Sequence, residues 1–168
     1  MQSTLILGYG NLDRQDDGVA WHILENIARF LKRTLPEAVE DTFIDLGENP
    51  DLYFQLQLTP ELADLIKDYD RVCFVDAHTG AVENDLNIMP LGASFQNSPF
   101  THHMTPQTLL SFVDTIYHCQ PEAVLVSVRG YEFNFERMLS DRTTALADQA
   151  SQWIYDWLND SSPHHENS

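Results

Sequence analysis

A turn close to the start of the chain places carboxylates directly after two glycines. It is the segment GYGNLDRQDDGVA, residues 8–20, in which Gly8 and Gly10 are followed by the aspartates at positions 13, 16 and 17. A glycine-rich turn between a strand and a helix often binds phosphate, because its backbone N–H groups point at the anion. Three carboxylates at the same place would repel a phosphate and attract a cation.

The common phosphate-binding motifs do not fit this turn. A dinucleotide-binding turn reads G-x-G-x-x-G, and its third glycine lets the helix pack closely on the strand; the corresponding residue here is Asp13. A P-loop ends in Gly-Lys-Ser/Thr, and the turn has no such ending. The turn is therefore interpreted as a cation site, with helix capping as the alternative role of Asp16 and Asp17.

Further carboxylates and imidazoles follow other predicted strands. Asp76 and His78 come after the apolar run RVCFV, and His102 and His103 precede a helix that Thr105 is expected to cap. Ligands of open α/β sheets bind at the carboxyl ends of the strands, so these side chains are expected to meet the aspartate-rich turn. Carboxylates with one imidazole suit zinc, nickel or manganese. For each histidine, an ordinary loop position is the alternative.

Hydrophobic periodicity predicts the elements that hold these residues in place. The predicted order is β-α-β-α-β-β-α-β-α, with strands at residues 4–9, 38–46, 71–77, 85–91 and 122–128. The helices are expected to run from about Asp16 to near Pro36, and onward from Thr59-Pro60, Thr105-Pro106 and Ser140. This alternation predicts an α/β three-layer sandwich with a mostly parallel, twisted five-stranded sheet and helices on both faces. Pro90 cannot donate to a ladder, so its strand is expected at an edge.

Composition limits the partners. Nine Lys+Arg against 26 Asp+Glu give a net charge of −17, which disfavours nucleic acid and anionic membranes. The 168 residues suit one domain, expected over 1–158, with 159–168 as a polar, frayed tail. Cys73 and Cys119 form no CxxC motif, and no signal peptide or membrane span is recognised. These features predict a cytoplasmic protein.

Three segments resemble the motifs of one known family. GYGNLDRQDDGVA resembles the opening motif of the [NiFe]-hydrogenase maturation endopeptidases, which typically reads G-x-G-N-x-x-R-x-D-D-G-x-G. FVDA (74–77) is similar to the second motif, a strand that ends in aspartate, and HHMTPQTLL (102–110) to the third. LTPELA (58–63) and VSVRGYEF (126–133) are also similar to family segments, so the resemblance covers nearly the whole chain. Ala20 replaces the final glycine of the first motif, and the resemblance assigns no role to Asp13.

The resemblance implies a twisted sheet between helices and a single cut near the C-terminus of the hydrogenase large subunit, made after nickel insertion. It places the metal-binding and catalytic residues at Asp17, Asp76 and His102. The neighbours Asp16 and His103 are possible alternatives or supporting residues, as are Gly10 and Asn11.

The expected partner is the large-subunit precursor, acted on by a monomer. Nickel is expected to be recognised in the substrate, with no tightly held metal in the enzyme. The sequence leaves open whether the metal is catalytic or only recognised, and whether Asp17 or Asp76 is the general base. A non-catalytic nickel-site-binding chaperone on the same fold is the alternative function.

Overall fold

Six strands form one mixed sheet in the computed structural model, which describes residues 2–34, 42–92 and 104–160. The strands are β1 (Thr4–Tyr9), β2 (Phe43–Asp45), β3 (Asp51–Gln55), β4 (Arg71–His78), β5 (Leu86–Leu91) and β6 (Glu122–Arg129). Their order across the sheet is β2-β3-β1-β4-β6-β5. The four central strands are parallel, and β2 and β5 pair antiparallel at the two edges.

Helices cover both faces of the sheet and make the predicted three-layer α/β sandwich. They are α1 (Val19–Phe30), α2 (Leu62–Ile66), α3 (Pro106–Tyr117) and α4 (Asp141–Asn159). Helices α1 and α4 pack together on one face, and α2 and α3 on the other. Among the described helices, none combines the length and the apolar character needed to cross a bilayer.

The two-residue period of the central strands divides the core between these faces. In β1, Ile6 packs in the cluster with α1 and α4, whereas Leu5 and Leu7 pack in the cluster with α2 and α3. In β4, Phe74 belongs to the second cluster and Val75 to the first. The strands are therefore buried on both sides, which explains why they read as continuous apolar runs.

The prediction of five strands was wrong, because β3 was missed. This five-residue strand lies between β1 and β2, and its signal is the alternation of buried Leu52 and Phe54 with half-buried Tyr53. It begins only six residues after the end of β2 and has polar residues at both ends, so it was not separated from the loop that precedes it.

Several of the predicted element boundaries are confirmed and others shift. Thr105 and Ser140 cap α3 and α4 by accepting hydrogen bonds from the backbone N–H three residues further on, and β5, with Pro90, is an edge strand. Helix α1 begins at Val19 rather than Asp16, because Gln15–Gly18 form a 3-10 turn. Helix α2 begins at Leu62, after a tight turn that starts at Thr59.

The fold brings two of the sequence motifs to one edge of the sheet. Strands β1 and β4 are parallel neighbours, so the turn after Tyr9 and the residue Asp76 both lie at the carboxyl edge. Helix α1 packs closely on β1 at this edge, because a Cβ at Gly8 would lie only 3.1 Å from the Cβ of Ala20. The absence of a side chain at residue 8 therefore leaves room for the alanine that replaces the last glycine of the motif.

Candidate active site

The turn that follows β1 is folded so that Asp17 returns to the end of the strand. Gly10 has a φ of +148°, and a Cβ there would lie 2.2 Å from the carbonyl oxygen of Asp17, so only glycine fits. The Asn11 N–H donates to the Asp17 carboxylate at 2.9 Å, and the Asn11 side chain accepts from the Asp13 N–H at 3.0 Å. These contacts fix Asp17 beside the mouth of β1.

Asp16 faces away from the mouth of β1 and is completely buried, with 0% of its surface exposed. Its carboxylate accepts five hydrogen bonds from the segment that joins β6 to α4 and from the first turn of α4. The donors are the Tyr131, Glu132 and Ser140 N–H groups at 2.9, 3.0 and 2.8 Å, and the Ser140 and Thr143 hydroxyls at 2.6 and 2.8 Å. Burial acts to raise the pKa of Asp16, but these hydrogen bonds outweigh it and lower the pKa below its ordinary value. Asp16 is therefore an ionised structural anchor at the N-terminus of α4.

Asp17 and Asp76 lie together in an open cleft at the carboxyl edge, with a volume of about 860 Å³. Burial, together with the nearby charge of Asp17, raises the pKa of Asp76 to about 7, although hydrogen bonds from Tyr9 and the Ala77 N–H act in the opposite direction. The ionised pair is thus held in a place where it is electrostatically unfavourable. A cation between the two carboxylates would relieve this repulsion.

The remaining wall of the cleft comes from two segments on the α2–α3 side. They contribute residues 56–60 and Met104, Thr105 and Pro106, and Tyr9, Gly10 and Asn11 complete the lining. Leu56 is more than half exposed, so part of this wall presents apolar surface to solvent. No lysine or arginine of the described residues lines the cleft, so no side chain there neutralises the two carboxylates.

His102, the third predicted ligand, lies outside the described residues, as does its neighbour His103. The residue after them, Met104, lines the same cleft as Asp17 and Asp76. Within residues 2–34, 42–92 and 104–160, no group of three His, Cys, Asp or Glu side chains could hold a metal ion. Two carboxylates alone are hard oxygen ligands, and zinc or nickel would require nitrogen or sulfur ligands in addition.

Other polar residues predicted near this edge have structural partners. Asp13 forms an ion pair with Arg137 at 2.7 Å, which gives this carboxylate of the turn a role. His78 accepts from the Gly80 N–H through Nδ1 at 3.1 Å and contacts the Asp85 carbonyl oxygen through Nε2, so it closes its own turn. Sequence reasoning missed Tyr9, although its position directly before Gly10 places it at the cleft.

Comparisons with known proteins identify the fold. No family model and no curated relative matches the chain. Among solved structures, the hydrogenase maturating endopeptidase HybD from E. coli is 19% identical, with a TM-score of 0.66 and coverage of 96% of this chain and 94% of that one. A [NiFe] hydrogenase maturation protease, HycI from Thermococcus kodakarensis, is 16% identical, with a TM-score of 0.64 and coverage of 94% and 93%. An endopeptidase from E. coli is 18% identical, with a TM-score of 0.68 and coverage of 96% and 94%. The chain therefore has the fold of the hydrogenase maturation proteases.

Replacing Asp16 by asparagine is expected to destabilise the protein by about 3–5 kcal/mol, because one acceptor oxygen becomes an NH₂ group that faces N–H and O–H donors. Urea unfolding of the full chain measures this loss. Asp13→Asn is the matched control in the same turn, and it should change the free energy of unfolding by less than about 1 kcal/mol because its ion pair is exposed. Equal effects of the two substitutions would contradict the anchoring role of Asp16.

Replacing Asp76 by asparagine is expected to stabilise the metal-free protein, and more so at pH 8 than at pH 4.5. The raised pKa of Asp76 means that the folded state keeps a proton that the unfolded state releases, so stability is lost as the pH rises from about 4 to about 7. Asparagine removes this loss. At pH 8 the free energy of unfolding should rise by about 1–4 kcal/mol. The upper limit is the energy that corresponds to the whole rise in the pKa of Asp76, from 3.8 to about 7.

Thermal unfolding of both proteins in chelator, at the two pH values, measures the difference between them. A gain of about 1 kcal/mol raises the melting temperature by roughly 2–4 °C in a chain of this size. A difference between variant and wild type that is the same at pH 4.5 and pH 8 would show that the carboxyl of Asp76 is not in the environment described.

Proposed function

We propose that this chain is an endopeptidase that removes a C-terminal peptide from the nickel-loaded large subunit of a [NiFe] hydrogenase. The observation that carries the proposal is the pairing of Asp17 and Asp76 in one cleft, on the fold of the hydrogenase maturation proteases. The family resemblance of the sequence motifs also assigns metal binding to these two residues. His102 is the third residue of the proposed set.

The shape of the cleft supports a polypeptide substrate. It is open and about 860 Å³ in volume, which accommodates a short extended segment of chain. Leu56, Leu58 and Met104 line the cleft and offer apolar contacts for substrate side chains. Such a site can bind the strand that leads to a scissile bond.

Its electrostatics support a substrate that carries a cationic centre. Burial, together with the charge of Asp17, raises the pKa of Asp76, and the described lining has no lysine or arginine that would offset the two carboxylates. Nickel in a loaded precursor brings the missing positive charge, and the substrate's own cysteine thiolates supply the soft ligands that this cleft lacks. Nickel that is held by the carboxylates of the cleft and by the substrate thiolates is bound more tightly than by either set alone, so a precursor without nickel binds this chain less well.

The reaction proposed is peptide hydrolysis. Water adds to the scissile carbonyl carbon, the C–N bond breaks, and the released peptide leaves with a new amino group while the large subunit keeps a new carboxylate. Asp17 and Asp76 are the two described carboxylates at the cleft, and one of them is proposed to accept the proton of the attacking water.

Asp76→Asn and His102→Ala are each expected to reduce processing of nickel-loaded precursor by at least about 100-fold, because each removes a group from the reacting centre. The two variants should keep the far-UV circular dichroism of the wild type. Asp13→Asn is the control at the same edge of the sheet, and it should process the precursor at the wild-type rate. Loss of helical signal in step with loss of processing would assign Asp76 and His102 to folding instead.

Cleavage is expected to depend on nickel in the substrate rather than on metal in the enzyme. The enzyme is treated with chelator, freed of chelator and mixed with precursor that either contains nickel or lacks it; processing is followed by mass spectrometry. Stripped enzyme should cut loaded precursor and leave empty precursor intact.

Two other results would change the proposal. Activity that returns only when metal is added back to the enzyme would mark an ordinary metallopeptidase. Tight binding of loaded precursor without cleavage would mark a non-catalytic nickel-site binder.

A further inference from the structure

The segment that joins β6 to α4 presents two large apolar side chains to solvent. Phe135 is 87% exposed and Met138 is 74% exposed. Among the described residues, the next most exposed large apolar side chain is Ile116, at 59%. A single exposed apolar side chain is ordinary, whereas apolar groups exposed together mark an interaction surface. These two side chains lie three positions apart in one short segment.

The turn that follows β1 fixes the backbone of this segment. The Gln15 N–H donates to the carbonyl oxygen of Glu136 at 2.8 Å, and the Asp16 N–H donates to that of Glu132 at 3.1 Å. The side-chain oxygen of Gln15 accepts from the Asn134 N–H at 3.2 Å. Because the segment is already held along its length, a partner that covers the apolar side chains does not have to order it first.

Two exposed arginines stack on aromatic rings of the same segment. The guanidinium carbon of Arg14 lies 5.8 Å from the centre of the Phe135 ring, and that of Arg142 lies 5.0 Å from the centre of the Tyr131 ring. Within the part of the chain that the structure describes, neither arginine has a carboxylate oxygen within 4.0 Å. A stacked guanidinium keeps N–H donors at its edge, so each of them is able to pair with a carboxylate of a partner.

An open recess of about 400 Å³ lies beside Tyr131. Ser140 and Arg142 line it, together with the carboxylates of Glu132 and Asp141. The surface thus combines aromatic, methionine and arginine side chains with a recess that admits a partner's side chain. This composition is typical of the centre of a protein–protein interface rather than of the rest of a protein surface.

This surface and the candidate cleft belong to the same turn. The Asp17 N–H donates to the carbonyl oxygen of Arg14 at 3.2 Å, so the residue that stacks on Phe135 is hydrogen-bonded to a residue that lines the cleft. A specific complex of two proteins buries about 1,600 Å² in total, which is more than a short segment in a cleft provides. A second copy of this chain is disfavoured as the partner, because each copy carries a net charge of −17.

We propose that this surface binds the folded body of the nickel-loaded precursor while the C-terminal segment of the precursor occupies the cleft. The docking surface consists of Arg14, Tyr131, Phe135, Met138 and Arg142. The precursor contributes apolar side chains that cover the phenylalanine and the methionine, and carboxylates that pair with the two arginines. The inference rests on the proposed function and adds to it a contact outside the cleft.

The test is the double variant Phe135→Ser, Met138→Ser in the full chain. Its Kd for nickel-loaded precursor in which proline after the scissile bond blocks cleavage should rise at least about 10-fold, the usual effect of losing central apolar contacts. With cleavable loaded precursor at saturation, kcat should stay within about 2-fold of wild type, because the groups at the cleft are unchanged. The midpoint of urea unfolding should not fall, since both side chains are exposed. An unchanged Kd would overturn the inference, and so would a loss of kcat alone.

Ile116→Ser is the matched control for apolar surface. Ile116 is exposed in the last turn of α3, at the opposite end of that helix from Pro106, which lines the cleft. This variant should bind the blocked precursor as the wild type does. An equal loss of binding in this control would show that the effect is not specific to the docking surface, and would overturn the inference.

Arg142→Gln tests the partner's carboxylate. It should raise the Kd by about 3-fold at low salt and by less at high salt, because salt screens an exposed ion pair. Arg29→Gln, in the last turn of α1, is its control and should bind as the wild type does. A Kd for Arg142→Gln equal to that of wild type at low salt would overturn the assignment of a carboxylate to the partner.

The same experiment separates failure of the docking surface from failure of the proposed function. Wild-type chain that binds blocked precursor through Phe135 and Met138 but leaves cleavable precursor intact would contradict the endopeptidase and support the surface. A wild-type dimer in analytical ultracentrifugation that the double variant abolishes would assign the surface to a second copy and overturn the inference. If the wild type neither binds nor cleaves loaded precursor, the inference fails together with the proposed function.

Discussion

The buried carboxylate of Asp16 is the interaction on which the rest of the site depends. It collects N–H and O–H donors from the start of α4 and from the segment before it, and no other described residue joins these two parts of the chain so extensively. Because Asp16 is fixed, the 3-10 turn that contains it is fixed, and the side chain of the next residue is directed away from the Asp16 donors. That residue is Asp17, which the turn presents to the cleft. Two adjacent aspartates therefore have two separate tasks, one in folding and one at the surface.

The contrast between Asp16 and Asp76 shows how one residue type serves both tasks. Asp16 is surrounded by donors and has a lowered pKa, so its charge is stabilised by the fold alone. Burial, and then the nearby charge of Asp17, raise the pKa of Asp76, so a cation beside it would stabilise the charged form. The first environment is complete without a ligand. The second is the kind of environment that a protein retains for a ligand, at some loss of stability.

Much of this arrangement could be predicted from the sequence, because it depends on local patterns. The buried strands, the caps at Thr105 and Ser140 and the convergence of the aspartate-rich turn with Asp76 follow from hydrophobic periodicity and from the rule for parallel sheets. What could not be predicted depends on contacts distant in sequence. The choice between Asp16 and Asp17 is determined by residues 131–143, more than 110 positions away, and the pairing of Asp13 with Arg137 has the same origin. Strand β3 was missed because a short strand with polar ends gains its stability from its neighbours rather than from its own composition.

The most direct measurement of the central claim is the coordination of nickel when this chain is mixed with the nickel-loaded large-subunit precursor that we propose as its substrate. Nickel-edge X-ray absorption is recorded for loaded large-subunit precursor alone and after addition of the chain, using precursor in which proline after the scissile bond blocks cleavage. If Asp17 and Asp76 receive the nickel centre, oxygen ligands appear in the complex that are absent from the precursor alone, and they are lost with the Asp76→Asn variant. A spectrum that does not change when a stable complex forms would contradict the account, because nickel would then not be what the two carboxylates bind.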